Sequence, residues 1–214
     1  MQEIKILYQD TEIAVIEKPV GVLSQRDAKG EDGLVEILAR QIGKTVYPVH
    51  RLDRPVGGVM VYALTKNAAA FLSGEDAFEK LYIAAVSGIC PTAGEMQDYL
   101  FKDSTKGKSF VVKGDRKGAK YAHLTYNTAK TVKTEQGDFS LVRVKLHTGR
   151  THQIRVQFAS RGMPLLGDGK YGSHIKGNGI ALWSHGLTMT HPKTKQILIF
   201  TSNPIDNPYF EIFK

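Results

Sequence analysis

The chain has 214 residues, 42% of them hydrophobic and 23% charged, a composition typical of a folded domain rather than of a disordered segment. Its longest apolar runs, at 58–64 and 197–200, have the length of strands and exclude a membrane span, which needs roughly 20 apolar residues. Lysine and arginine outnumber aspartate and glutamate by 29 to 21, which gives a net charge of +8 and permits an acidic partner such as nucleic acid without requiring one.

The amino-terminal part alternates short apolar runs with turn residues. The sequence Lys-Pro-Val-Gly at 18–21 predicts a turn. Apolar residues at helical spacing then predict a helix that begins after Asp32, a candidate N-cap, and ends at Gly43. An alanine-rich helix is predicted at 66–78. Strands in this part are predicted at 4–8, 13–16 and 59–64.

The rest of the chain is dominated by predicted strands. They lie at 81–86, 121–128, 139–146, 180–184 and 196–201. Residues 151–161 fit the period of a helix and of a strand, and Gly162 followed by Pro164 favours the helix. Many strands with few, scattered helices predict an α+β fold with a mostly antiparallel sheet.

A basic segment lies between two of these strands. Seven lysines and arginines stand at 102–120 against Asp103 and Asp115. The segment is either a solvated loop or hairpin, or a surface that faces the phosphates of a nucleic acid, because clustered cations displace the counterions condensed on RNA.

Two features bear on location and metal binding. Cys90 is the only cysteine, so neither an internal disulfide nor a cysteine metal cage can form. The amino terminus lacks the apolar core of a secretory signal. A reducing, cytoplasmic location is therefore expected.

One motif is matched without its context. Residues 167–172 spell G-x-G-x-x-G, which binds a dinucleotide only when it follows a strand and opens a long helix. The residues that follow, 173–179, contain two more glycines and no apolar period, so a dinucleotide site is not expected.

The first candidate catalytic segment is His50-Arg-Leu-Asp-Arg54, which lies between a turn and a predicted strand. A carboxylate flanked by Arg51 and Arg54 is favoured in its ionised form. Taken alone, Asp53 is equally well explained as a salt-bridged loop residue.

Two further segments carry polar groups. Lys80 and Tyr82 share one face of a predicted strand, where most tyrosines serve packing. Planar hydrogen-bond donors and acceptors crowd the segment 150–155, which suits the binding of a phosphate or a carboxylate, although a plain surface helix has the same pattern. The residues concerned are Arg150, His152, Gln153 and Arg155.

Together, these segments resemble the RluA-type family of pseudouridine synthases from residue 4 to residue 201. The segment 50–54 is similar to the catalytic motif of that family, and 80–82 and 149–168 are similar to its other two signatures. Two departures stand out: Val56-Gly57-Gly58 replaces the common Thr-Ser-Gly, and Gln157 stands where the family often has histidine. An N-terminal S4-like domain is not expected, because the resemblance begins almost at Met1.

The resemblance implies one catalytic domain over 1–214, with a mixed, mostly antiparallel central sheet, flanking helices and an active-site cleft. It implies that the protein isomerises uridine in structured RNA, either tRNA or rRNA, by cleaving the C1′–N1 bond and joining C1′ to C5. It also implies that no metal, nucleotide or redox cofactor, no membrane and no protein partner is involved.

The resemblance also assigns roles. Asp53 acts either as nucleophile at C1′ or as base at C2′, Tyr82 stacks on the detached uracil and assists proton removal at C5, and Arg155 pairs with Asp53. Further residues are expected to bind the substrate nucleotides: Arg51, Arg54, Arg150, His152, Gln153, Leu165 and Leu166. Three more are expected to contact the RNA backbone: Lys113, Arg116 and Lys117.

Two alternatives remain at this point. A non-catalytic RNA-binding module could keep the same fold, although the presence of all three catalytic candidates argues against it. Another RNA-modifying enzyme, such as a methyltransferase, would need a cofactor loop, for which 167–172 is the poorly placed candidate.

Overall fold

The computed structural model of the chain describes residues 3–74, 77–175, 177, 179–204 and 207–214. In these residues the helices are α1 (Leu34–Ile42), α2 (Lys66–Leu72) and α3 (Gln153–Ala159). The strands are β1 (Ile6–Gln9), β2 (Ile13–Lys18), β3 (Tyr47–Pro48), β4 (Gly57–Ala63), β5 (Phe78–Ser87), β6 (Ala93–Asp103), β7 (Lys108–Val112), β8 (Lys120–Thr134), β9 (Gly137–Leu146), β10 (Leu182–Thr190) and β11 (Ile197–Thr201). None of the helices in the described ranges combines the length and the apolar character that a bilayer crossing requires.

The chain divides into two compact units. The first comprises Met1–Lys80 and Trp183–Pro204, and the second comprises Leu81–Leu182 and Ile205–Lys214. In the first unit the strand order is β1-β2-β4-β10, with β3 on β4 and β11 on β10. The β4–β10 pair is parallel, whereas β1–β2, β2–β4, β3–β4 and β10–β11 are antiparallel.

Strand β4 forms the centre of the first unit. All seven of its residues are buried, as its continuous apolar sequence predicts for a strand covered on both faces. Val59 and Val61 pack with Ile13 and Val15 of β2, and Leu72 of α2 belongs to the same core cluster. The loop that precedes β4 is therefore anchored at its carboxyl end to a strand that is packed in the core.

Helix α1 ends as predicted but begins differently. Gly43 closes the helix in the left-handed conformation, with φ of 70°. The prediction of Asp32 as N-cap is wrong, because the cap is Gly33, whose N–H donates to the Glu36 carboxylate at 2.9 Å. A Cβ at Gly33 would overlap the backbone of Gln25, so only glycine fits there. Asp32 instead forms salt bridges with two arginines.

Helix α2 is shorter than predicted. It ends at Leu72, whereas the sequence pattern extended it to Phe78. Phe78 opens β5 and is buried in the core of the first unit, so packing against that core outweighs helix propensity. Residues 75 and 76 of the predicted helix lie outside the described residues.

The second unit contains a sheet with the order β5-β9-β8-β6-β7, in which the pairs β6–β7, β6–β8 and β8–β9 are antiparallel. Helix α3 packs on one face of this sheet, where Val156 contacts Leu100 of β6 and Ala122 of β8. Strands β6 and β7 were not predicted as such, although a hairpin was one of the two alternatives for the basic segment. Met96, Asp98 and Leu100 lie on the same face of β6, so a charged residue stands between two buried apolar ones. Asp98 pairs there with Arg161 at 2.9 Å.

The α+β fold with a mixed, mostly antiparallel sheet is therefore confirmed. Helix α3 is also confirmed within the ambiguous segment 151–161. The glycine-rich residues 167–172 form a short 3-10 turn at Gly169–Tyr171 rather than the start of a long helix, so the dinucleotide site is excluded.

Candidate active site

Asp53 lies in the loop between β3 and β4 and is half-buried. The residue before it is fixed by Ser24, whose hydroxyl donates to the Leu52 carbonyl at 2.7 Å and accepts the Leu52 N–H at 3.1 Å. Ser24 is itself held, because its carbonyl accepts the Tyr62 hydroxyl of β4 at 2.7 Å. After Asp53 the chain turns, and the Val56 N–H donates to the Asp53 carbonyl at 3.0 Å.

The other side of Asp53 is fixed by Lys18, at the end of β2. Its amino group donates to the carbonyls of Val56 at 2.7 Å, Pro19 at 3.0 Å and Arg54 at 3.2 Å. The lysine side chain is fully buried, so these carbonyls replace the water that the amino group has lost. Ser24 and Lys18 together hold the backbone on both sides of the candidate catalytic carboxylate.

Burial of Lys18 changes its proton affinity. Desolvation lowers its pKa from 10.5 to about 7, opposed by the nearby negative charge of Asp53 and assisted by the positive charge of Arg54. Sequence reasoning assigned Lys18 only to a turn. The available signal was a lysine at the end of an otherwise buried strand, directly before proline.

The two arginines beside Asp53 have different surroundings. Arg54 forms a bidentate ion pair with Glu31, with distances of 2.8 and 3.1 Å, and its Nε donates to the Gly21 carbonyl at 2.9 Å. Its guanidinium is thus engaged in fixing the loop at 21–31. Arg51 is exposed. The assignment of both to substrate binding stays a prediction.

His50, at the start of the same segment, has a structural environment. Its Nε2 accepts the Val61 N–H of β4 at 3.1 Å, and its ring lies 5.2 Å from that of Phe78. Burial lowers the pKa of His50 to about 3, with a further contribution from the charge of Lys80. The imidazole is therefore neutral near pH 7 and serves as an acceptor that ties the loop to β4.

The departure at Gly57 has a steric explanation, and Gly58, which matches the family pattern, is confined in a similar way. A Cβ at Gly57 would overlap the six-membered ring of Trp183, and one at Gly58 would overlap the backbone of Ser184. Gly58 also has φ of 115°, in the region that favours glycine. The indole of Trp183, anchored by its N–H to the Ser202 carbonyl at 3.1 Å, thus occupies the space of a side chain at 57.

In the second unit, Arg155 of α3 is buried and forms a bidentate ion pair with Asp168. The distances are 2.6 Å from Nε to Oδ2 and 2.8 Å from Nη2 to Oδ1. The guanidinium carbon also lies 5.1 Å from the centre of the Tyr171 ring. Sequence reasoning paired Arg155 with Asp53 and did not assign Asp168 or Tyr171 to the site, although both lie in or beside the segment that resembles a family signature.

Tyr171 links α3 to β7. Its hydroxyl accepts the buried Ser109 N–H at 2.8 Å and lies 2.8 Å from Nδ1 of His152. Burial raises the pKa of this phenol, so it stays protonated at neutral pH. The contact with the Tyr171 hydroxyl therefore positions the ring of His152. His152 directly precedes α3 and has the left-handed conformation, with φ of 56°.

Gln153 organises the turn before α3. Its Oε1 accepts the Thr148 hydroxyl at 2.8 Å and the Arg150 N–H at 3.0 Å, and its Nε2 donates to the His123 carbonyl at 3.0 Å. Arg150 donates from Nε to the Tyr121 carbonyl at 2.8 Å. The amide of Gln153 is thus engaged within the protein, which sequence reasoning did not anticipate.

Gln157, the second departure, is also used internally. Its amide donates to Asp98 at 2.7 Å and to the Met96 carbonyl at 3.2 Å, so it fixes β6 against α3.

The remaining candidates are apolar or exposed. Tyr82 of β5 is 7% exposed, and Leu165 and Leu166 are buried beside the same strand, where Leu166 donates its N–H to Ala85. The backbone candidates Lys113, Arg116 and Lys117 are exposed in the turn between β7 and β8. Asp53 belongs to the first unit and Tyr82 and Arg155 to the second, and their joint action stays a prediction.

Among the residues that the structure describes, no three histidine, cysteine, aspartate or glutamate side chains converge in a way that could hold a metal ion.

Comparison with known proteins adds an independent finding. The profile of a family described as RNA pseudouridylate synthase matches residues 12–160. The chain is 33% identical to the tRNA pseudouridine synthase C of Haemophilus ducreyi over 218 aligned positions, which cover 91% of this chain and 88% of that protein. It is 38% identical to an uncharacterized RNA pseudouridine synthase of Aquifex aeolicus over 182 positions, covering 79% of this chain and 56% of that protein.

Among solved structures, Human RNA Pseudouridylate Synthase Domain Containing 1 matches with a TM-score of 0.78 and 22% identity, covering 94% of this chain and 83% of that chain. Human RNA Pseudouridylate Synthase Domain Containing 4 matches with a TM-score of 0.76 and 23% identity, covering 97% of this chain and 90% of that chain. At these identities the likeness is one of fold.

The buried amino group gives a prediction about stability. Replacing Lys18 with methionine leaves three carbonyls without their donor, and we expect a loss of about 1–3 kcal/mol in the free energy of unfolding at pH 7. Because the folded pKa of about 7 lies below the ordinary value of 10.5, the unfolded wild-type chain binds more protons between these values, and wild-type stability rises with pH across that window.

The difference in the free energy of unfolding between wild type and Lys18→Met should therefore increase from pH 7 to pH 10. Urea titrations followed by circular dichroism measure this difference. Lys5→Met, which removes a lysine whose side chain is 59% exposed, serves as the control and should show no such widening. A gap that stays constant with pH would contradict the buried-amine interpretation.

The steric fit at Gly57 gives a second prediction. Gly57→Ser should destabilise the protein by about 1–3 kcal/mol, because the new side chain overlaps the indole. Most of this cost should disappear when the substitution is made in a Trp183→Leu background, as measured by a double-mutant cycle of unfolding free energies. Gly169→Ser, where a Cβ meets no atom within 4 Å, should be close to neutral. Additive effects at 57 and 183 would rule out the steric explanation.

Proposed function

Because this chain belongs to the RNA pseudouridylate synthase family and is a pseudouridine synthase, we propose that its substrate is a transfer RNA and that Asp53 is the reactive carboxylate. The choice of tRNA is supported by the curated relatives, whose names state that substrate and which align with the chain over about nine-tenths of its length. Ribosomal RNA is the alternative, and a tritium-release assay separates the two.

The observation that carries the assignment of Asp53 is the double anchoring of its loop. Ser24 fixes the residue before it and Lys18 fixes two carbonyls that follow, so the carboxylate is presented from a rigid backbone. A reacting group held in place before the substrate arrives avoids the entropic cost of ordering it during the reaction. A surface aspartate that serves only in a salt bridge needs no such support.

The reaction conserves all atoms of the uridine. In one route an Asp53 oxygen bonds to C1′ as the C1′–N1 bond breaks and the uracil leaves with the bonding electrons. The uracil turns, its C5 attacks C1′ and displaces the carboxylate, and C5 then loses its proton while N1 gains one. In the other route the carboxylate removes the C2′ proton as the C1′–N1 bond breaks, which leaves a C1′=C2′ double bond in the sugar. The carboxyl group then returns the proton to C2′ as C1′ bonds to C5, and C5 loses its proton while N1 gains one, as in the first route. Both routes begin from an ionised carboxylate beside the ribose.

The remaining roles follow from this chemistry. Tyr82 would stack on the detached uracil above a floor formed by Leu165 or Leu166, and Arg155 would keep Asp53 oriented. The bidentate support of Arg155 by Asp168 suits that role, because it fixes the guanidinium plane. Since the C1′–N1 bond is shielded in a stacked helix, the target uridine has to flip out, and Arg51 would either fill the space that it vacates or hold the flipped nucleotide.

We propose further that residues 1–214 act as one catalytic domain in the cytoplasm. The family match, at residues 12–160, runs without a break across residue 80, the first boundary between the compact units, which supports a single functional domain. Lys113, Arg116 and Lys117 would contact the phosphate backbone, and Arg54, Arg150, His152 and Gln153 would shape the substrate site directly or through the loops they fix.

The proposal is tested with unmodified tRNA transcripts that carry tritium at uracil C5. The wild-type enzyme should release tritium from one or more of these tRNAs and not from ribosomal RNA fragments, because joining C1′ to C5 displaces the label. Asp53→Asn should release none, while its affinity for tRNA stays within a few-fold of wild type, because phosphate contacts dominate RNA binding.

Glu135→Gln, which neutralises an exposed carboxylate in the β8–β9 turn, is the matched control and should keep full activity. Turnover retained by Asp53→Asn would remove that residue from its role. Release from ribosomal RNA alone would leave the enzyme class intact and reject tRNA as the substrate.

The basic turn gives a separate prediction. Replacing Lys113, Arg116 and Lys117 together with alanine should weaken tRNA binding. It should also reduce the slope of log Kd against log salt concentration by about 0.7–0.9 for each phosphate that the variant no longer neutralises.

A matched triple of exposed lysines in the first unit, Lys29, Lys44 and Lys193, should change the slope less when replaced with alanine. A slope that does not change in the first triple variant would assign the turn to solvent.

A further inference from the structure

One face of the second unit carries exposed aromatic rings. Tyr99 of β6 and Tyr121 of β8 are directly paired across the two strands and are 43% and 40% exposed. Their rings meet edge to face with centroids 5.9 Å apart. The neighbouring residues Leu100 and Ala122 point to the opposite face, where they are buried under α3. The tyrosines therefore do not belong to the hydrophobic core.

Two histidines extend this feature. The His123 ring lies 6.3 Å from that of Tyr121, and the His147 ring is stacked on His123 with a centroid distance of 4.2 Å and an interplanar angle of 17°. We call Tyr99, Tyr121, His123 and His147 the aromatic row. It crosses the sheet from β6 over β8 to the residue that follows β9.

The row is held rigidly at its β6 end. A Cβ at Gly114 would lie 2.8 Å from Cε2 of Tyr99, so the turn between β7 and β8 runs close against that ring. In the same turn, the Arg116 guanidinium lies 3.9 Å from the centre of the Phe101 ring, which is on the same face. Rings that are fixed before binding lose little side-chain entropy when a ligand stacks on them.

The charge around the row is positive. The register of β8 with β9 places Arg143 and Lys145 on the same face as Thr125 and Asn127. Cations outnumber carboxylates on this face and in the turn over it. The cations include Lys108, Lys113, Arg116, Lys117, Arg143 and Lys145, and the carboxylates include Glu95, Asp103 and Asp115.

We propose that the aromatic row binds unpaired nucleotides of the RNA substrate by stacking, at positions other than the uridine that is isomerised. The inference rests on the proposed function, in that the RNA is the enzyme's own substrate. Aromatic rings interleaved with cations suit single-stranded RNA, because every base offers a π-face and every nucleotide a phosphate. Paired A-form RNA hides its base faces, so loops and ends are the segments that the row would select.

The charge also distinguishes RNA from a second copy of this chain. Two copies that met through this face would bring its excess of cations together, which opposes association. A phosphate backbone is attracted to the same charges. Sequence-tolerant stacking beside a positive turn thus favours RNA as the occupant.

The test compares two fluorescent probes in anisotropy titrations: an oligocytidylate of about 12 nucleotides, long enough for a single-strand site, and an abasic ribose-phosphate chain of the same length. Neither offers a uridine to the catalytic site. The wild type should bind the oligocytidylate at least about tenfold more tightly than the abasic chain, because each stacked base contributes measurably. The double variant Tyr99→Ala/Tyr121→Ala should lose most of that preference, while the salt dependence of its binding is unchanged.

Two controls accompany this variant. Tyr99→Phe/Tyr121→Phe keeps the rings and should keep the preference for bases. Phe71→Ala removes an aromatic side chain of the first unit that is 43% exposed, as Tyr99 is. This variant should change neither the affinity for the oligocytidylate nor the affinity for the abasic chain. In turnover assays on tRNA, the double alanine variant should raise KM about tenfold or more with kcat nearly unchanged.

The outcomes separate this inference from the proposed function. Base-dependent binding that disappears in the double alanine variant supports the aromatic row even if the wild type turns over no tRNA. Unchanged base preference in that variant overturns it, even if the wild type is fully active. Sedimentation that shows a wild-type dimer, converted to a monomer by the double variant with RNA affinity intact, would also overturn it by assigning the face to contacts between copies.

Discussion

The conformation of the loop around Asp53 depends on the hydrogen bonds of the desolvated Lys18 amino group. Inside the protein it has exchanged water for the carbonyls of Pro19, Arg54 and Val56, two of which lie 36 and 38 residues away in the sequence. An amine that is buried without such partners would cost several kcal/mol, so the loop cannot move away from Lys18 without a penalty. The stability of the first unit and the position of the candidate catalytic residue are therefore linked.

The other contacts around Asp53 extend this constraint. Ser24 holds Leu52 and is itself held by Tyr62, while His50 ties the start of the loop to Val61; Tyr62 and Val61 both belong to β4, a strand buried on both faces. In the second unit the ion pair of Arg155 with Asp168, backed by Tyr171, fixes a guanidinium in a comparable way. In each unit, buried partners thus hold the backbone or the side chain of a candidate functional residue in place before any substrate binds.

Sequence patterns predicted those features that depend on neighbouring residues. The buried strand β4, the glycine end of α1 and the helix α3 follow from apolar period and turn chemistry. Strand β6 was missed because Asp98 breaks the apolar alternation, and its compensation by Gln157 and Arg161 comes from 59 and 63 residues away. The motif around Asp53 was recognisable from its residue types, whereas the role of Lys18 was not, since its acceptors are backbone atoms that no side-chain pattern reveals.

The indole of Trp183 has a consequence for how this chain can diverge. Its ring fills the volume in which a side chain at residue 57 would lie, although the two residues are far apart in the sequence. If serine replaced Gly57 first, its side chain would overlap the indole. The tryptophan therefore has to be replaced before a descendant can acquire serine at 57 without a steric clash. The order of the two changes is thus set by steric exclusion, and relatives with a bulkier loop are expected to carry a smaller residue in place of the indole.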